Sequence, residues 1–83
     1  MNPESIKSVL VAAFPEAVEI NVSGEGGKFQ VTIVSEEFAS LRPVAKQQRV
    51  YAPLNEYIAS GAIHAVTIRT LTPEEWRKAK LFG

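Results

Sequence analysis

Eighty-three residues suffice for one domain with a small core, taken as residues 1–83, and 46% apolar content is ordinary for a globular fold. Nine basic and nine acidic residues cancel, so no whole-molecule field gathers nucleic acid, and the lack of cysteine excludes a disulfide framework and any thiolate from this chain. No apolar run approaches the roughly 20 residues of a membrane helix, and the initial Met-Asn-Pro-Glu-Ser lacks the basic and then apolar parts of a secretory signal. A cytoplasmic protein without membrane contact is expected.

In chain order, Asn2-Pro3-Glu4 reads as a helix start, with Asn as N-cap, Pro at the first position and an acid in the first turn. Ile6, Val9, Leu10 and Ala13 form one apolar stripe, and Pro15 stops the helix near Phe14. The period then changes to two: Val18, Ile20 and Val22 alternate with polar residues as a first strand. Gly24-Glu25-Gly26-Gly27 predicts a loop of four to five residues, and Phe29, Val31 and Ile33 mark the return strand of a hairpin. Ser35 to Leu41 predicts a short helical turn capped by Ser35 and anchored by Phe38 and Leu41.

Arg42-Pro43 opens a longer helical segment reaching Ser60, with Val50, Leu54, Tyr57 and Ile58 on one face; Pro53 should kink or split it. Gly61 is a helix stop, and Ala62 to Arg69 reads as a strand on which alternation places His64 with Ala62, Val66 and Ile68. Thr72-Pro73-Glu74-Glu75 is a capping box that opens a last helix running toward Lys80, with Trp76 as its core contact. The fold class is therefore α+β, order α-β-β-α-β-α, with helices layered on a three-stranded mixed sheet: an antiparallel hairpin and a third strand parallel to the one it joins.

His64 is the only histidine, and there is no aspartate. A closed metal site within this chain is excluded, because structural zinc needs four ligands. No serine lies in a nucleophile elbow, and the glutamates sit at exposed positions unsuited to paired acid and base work, so the chain reads as a non-enzyme. The Gly24–Gly27 run matches a G-x-x-G phosphate clamp, but it joins strands, not helices. The charges are also uneven: residues 1–41 carry net −4 and residues 42–83 net +4. Arg42, Lys46 and Arg49 on the middle helix are the candidate phosphate contacts of a nucleic-acid-binding alternative.

Taken together, these segments resemble the BolA family, and within it the short bacterial IbaG/YrbA-like subgroup. The resemblance is carried by KFQVTIVSEEF after the hairpin turn, VAKQQRVYAPLNEYI in the middle helix and, most specifically, IHAVTIRTLTPEEW. It implies a class II KH-like fold. It also implies an adaptor in iron-sulfur and iron homeostasis and the stress response, pairing with a monothiol glutaredoxin around a [2Fe-2S] cluster. His64 matches the family's C-terminal histidine ligand; the other ligands would come from the glutaredoxin cysteine and glutathione, and the isolated chain would hold no cofactor. Ligation needs the neutral ring, so acid competes with metal.

At the hairpin position where many members carry a second histidine or a cysteine, this chain has Lys28, a poor ligand when protonated. Another group then fills that place, the cluster is held more weakly, or apo-glutaredoxin is bound without a shared cluster. The basic helical motif of relatives with DNA-binding, transcription-regulating roles is changed here to AKQQRV. Self-association as a homodimer is a third reading.

Overall fold

The computed structural model describes residues 1–82. Helix α1 (Pro3–Ala13) starts where the sequence predicts: Asn2 is extended, and its Oδ1 accepts from the Ser5 amide at 2.8 Å. Strands β1 (Glu19–Glu25) and β2 (Lys28–Val34) form the hairpin. A 3₁₀ turn (Glu36–Ser40) leads into α2 (Pro43–Tyr51), a second 3₁₀ turn (Ala52–Leu54) and α3 (Asn55–Ala59). Pro53 thus divides the long helical segment in two, having no amide to donate to the preceding turn. Strand β3 (Ala65–Leu71) and helix α4 (Pro73–Phe82) complete the chain.

The sheet order is β1-β2-β3, with β1 antiparallel to β2 and β2 parallel to β3. This is the expected α+β order, counting the segment broken at Pro53 as one element. Strand alternation gives the sheet two unlike faces. Ile20 and Val22, Phe29, Val31 and Ile33, and Val66 and Ile68 join Ile6, Leu10, Phe14, Val50 and Leu54 of the helical segments in one apolar cluster. The opposite face carries the register rows Asn21, Thr32, Arg69 and Ser23, Gln30, Thr67 and Glu25, Lys28, Ala65. Polar residues there satisfy the pleat while leaving water on one side.

Four expectations are corrected. The hairpin loop has two residues, not four or five: Glu25 pairs with Lys28, and Gly26 and Gly27 both take left-handed φ, +62° and +79°. Successive left-handed residues give a turn whose twist matches that of the strands, so pairing continues through Gly24 and Glu25. Ser35 stands at the N-cap position of the 3₁₀ turn, but its side chain makes no capping bond; its amide instead donates to Leu71 O at 2.9 Å, tying the end of β2 to the end of β3.

The third correction is that His64 precedes β3 and is exposed, while Ile63 is buried. The amides of His64 and Ala65 both donate to Gly27 O, at 2.8 and 3.1 Å. Two donors on one acceptor insert a residue into the pairing, as in a bulge, and this shifts the alternation by one. Lastly, Trp76 is only partly buried and stands outside the central cluster, and α4 contains no buried residue. The helix is held at its start by the predicted capping box: Glu75 N donates to Thr72 Oγ1 at 3.2 Å, and Thr72 N donates to Glu75 Oε1 at 2.8 Å. That second bond is the main reason the Glu75 carboxyl titrates below its ordinary value of 4.5, with Lys46 and Lys78 adding to it.

Candidate functional site

The turn and the start of β3 meet at one end of the central strand. Ile63 is fully buried and its amide donates to Tyr57 O at 3.0 Å, which fixes the chain immediately before His64. The shared Gly27 carbonyl fixes it immediately after. The backbone of His64 is therefore held on both sides while its side chain faces outward. Among the described residues the imidazole nitrogens make no hydrogen bond to protein, so the ring lone pair is free to accept from an external donor or to bind an external metal ion.

The ring lies against Gly27. A Cβ on that residue would collide with His64 Cδ2, with Cγ and Nε2 at 3.1 and 3.3 Å from it. Glycine at this position serves two purposes: it permits the left-handed φ of the turn and leaves room for the imidazole. The sequence signal for Gly27 was the paired glycine of a tight hairpin; its role in seating His64 had none, because the two residues are 37 positions apart.

Lys28 pairs in register with Ala65, so it adjoins His64 and Gly27 at the same end of the sheet, and it is exposed. Among the described residues no three His, Asp or Glu side chains come together as a metal site. The described residues at this end of the sheet thus offer one imidazole as a ligand and no closed metal site of their own.

The three cations on the middle helix are not gathered into one surface. Arg42 is exposed at the N-cap of α2. Lys46 faces the junction with α4, beside Glu36, Glu74 and Glu75. Arg49, half-exposed, is taken up by contacts within the protein: its Nη2 donates to Ala13 O at 3.0 Å, its guanidinium lies 4.1 Å from the centre of the Phe14 ring, and its Nε is 3.3 Å from Glu37 Oε1 in an ion pair outside hydrogen-bond geometry. Closing the end of α1 onto α2 and the 3₁₀ turn is a structural role that sequence spacing does not reveal.

Among the described residues no helix is long and apolar enough to cross a membrane. The chain is 50% identical over 84 residues to the acid stress protein IbaG of Escherichia coli K12, with 100% of this chain and 99% of the relative aligned. It is 46% identical over 55 residues to the DNA-binding transcriptional regulator BolA of Vibrio cholerae, covering 66% of this chain and 51% of that protein. The fold matches the structure of a BolA protein homologue from Coxiella burnetii with a TM-score of 0.79, at 25% identity over 93% of this chain and 97% of that one. Residues 9–75 match the pattern of the BolA-like proteins, and the chain belongs to that family, on its IbaG-like side.

Proposed function

We propose that this chain is a non-enzymatic adaptor that binds a monothiol glutaredoxin and offers His64 to a [2Fe-2S] cluster held between the two proteins. The observation that carries the reading is the arrangement of His64: fixed backbone, exposed ring, no protein partner for either nitrogen among the described residues, and a neighbour without a side chain. The cluster would supply iron able to accept a nitrogen lone pair, as it does where imidazole replaces thiolate in Rieske centres.

The residues of this chain divide the remaining tasks. Ile63 and the Gly27 carbonyl orient the imidazole, the two-residue turn keeps the approach open, and Lys28, in register with Ala65, adds an exposed positive charge at the same end of the sheet. An ammonium is a poor ligand but attracts an anionic group, so this site favours a partner that brings its own thiolates and carboxylates. The role follows in iron-sulfur handling and the stress response, without a reaction of its own.

The test mixes the protein with a monothiol glutaredoxin, glutathione and iron under reducing conditions. Wild type should give a visible spectrum distinct from that of glutaredoxin alone, and His64→Ala should lose the difference. Identical spectra for the two variants would remove His64 as a ligand. Lys28→His should increase cluster retention by adding a second imidazole at the same end of the sheet.

A further inference from the structure

The excess positive charge of residues 42–83 has to go somewhere, and most of it is answered by acids. Arg49 is paired with Glu37, and Lys78 lies 3.4 Å from Glu74. Lys46 shares its cleft with Glu36, Glu74 and Glu75, and Arg77 borders a groove with Glu36 and Glu74. Arg42 stands alone on the surface at the start of α2. Two cations remain, Arg69 and Lys80, and they occur together. With Trp76 and Ala79 they line a cleft of about 250 Å³ between β3 and α4, at the opposite end of the strand from His64, and no acid among the described residues lines it.

Arg69 projects from the polar face of the sheet, in register with Thr32 and Asn21, both neutral. The next row on that face is Leu71, Val34 and Glu19, so the nearest carboxylate in register is two strands away. Lys80 holds its ammonium 5.4 Å from the centre of the Trp76 ring. The cleft therefore combines two cations without carboxylate partners among the described residues, an indole that is only partly buried, and a small residue, Ala79, that leaves space between them.

We propose that this cleft is a binding site for a nucleotide unit, a phosphate ester joined to a flat ring. Arg69 and Lys80 take the phosphate, the guanidinium through paired N–H donors and the ammonium as a point charge. The ring packs against the indole of Trp76, where stacking tolerates any base. At about 250 Å³ the cleft is smaller than most ligand pockets, so it holds the phosphate and part of the ring while the rest stays in solvent. The site is separate from His64 and does not depend on the adaptor reading. It also differs from the candidate Arg42, Lys46 and Arg49 set, whose cations are dispersed or neutralised.

Trp76 is the only tryptophan in the chain, so its fluorescence reports on this cleft alone. The full chain is titrated at low salt with adenosine monophosphate, with inorganic phosphate and with a short single-stranded oligonucleotide. Saturable quenching by the nucleotide or the oligonucleotide is expected, weakening as salt is raised. Phosphate should compete without quenching. Arg69→Gln and Lys80→Gln, shown to be folded by circular dichroism and melting, should each lower affinity by about tenfold, the scale of one charge-assisted contact. Arg42→Gln and His64→Ala should leave it unchanged. Much tighter binding of the oligonucleotide than of the mononucleotide identifies a strand as the source; equal binding identifies the free nucleotide. No saturable quenching with either, or affinity indifferent to both Arg69→Gln and Lys80→Gln, would overturn the proposal.

Discussion

The two ends of β3 are built by opposite means. At the His64 end the backbone does the positioning: one carbonyl accepts two amides, a buried Ile63 anchors the preceding residue, and the side chain of interest is left bare. At the Arg69 end the backbone contribution is a capping box, and the surface is shaped by side chains leaning on one another, Lys80 over Trp76 and both beside Arg69. A site held by backbone keeps its geometry when surface residues change. A site made of long side chains is easily altered, and its charge can be varied without disturbing the fold.

The largest effect is expected at Ile63. Ile63→Ala should cost about 2–5 kcal/mol in denaturant unfolding, the usual loss for a buried isoleucine, and should also loosen the seat of His64. At the other end, Trp76→Ala should cost about 2 kcal/mol, less than the roughly 3–5 kcal/mol of a fully buried tryptophan, because the ring stands outside the central cluster. A loss for Trp76 equal to or above that for Ile63 would contradict the contrast. Gly27→Ala forces an L-residue into left-handed φ at a cost of about 1–2 kcal/mol and drives its methyl into the imidazole. It should shift the His64 ring resonances in an NMR spectrum, whereas an alanine at Trp76 should leave them in place.

Smaller effects sharpen the picture of α4. Thr72→Ala should cost about 1 kcal/mol by removing an N-cap, measurable as a lowered melting temperature. The reciprocal bond to Glu75 carries a pH signature. Its carboxyl titrates below 4.5 in the folded state, so its contribution is complete above the ordinary value and is lost as pH falls through the folded one. Glu75→Gln should flatten that part of the acid dependence of stability; an unchanged profile would show that the bond does not persist in solution. The carboxyl is exposed, so the effect is the smallest of the set.

Much of this was legible in local sequence. Asn2-Pro3, Thr72-Pro73-Glu74-Glu75, Pro53 and Gly61 each act through bonds to residues within four positions, and each behaves as its chemistry requires. Alternation likewise placed Phe29, Val31 and Ile33 in the core. The misreadings arose where distant partners intervene. Alternation misplaces His64, which precedes β3, because Gly27 accepts amides from it and its neighbour, and an indole at a helix start reads as core although Trp76 stays partly exposed. Arg49 gave no sign that Phe14, Glu37 and Ala13 would take it up.

The sequence alone determined the element order, the capping of the first and last helices, the break at Pro53 and the identity of the single imidazole, because these depend on steric and hydrogen-bonding preferences that act over a few residues. Only the tertiary structure decided which side chains remain free: His64 bare against Gly27, Arg49 engaged by Ala13, Phe14 and Glu37, and Arg69 and Lys80 without an acid among the described residues. Freedom of a side chain depends on what the rest of the chain brings beside it, and contacts between residues tens of positions apart leave no periodicity to read.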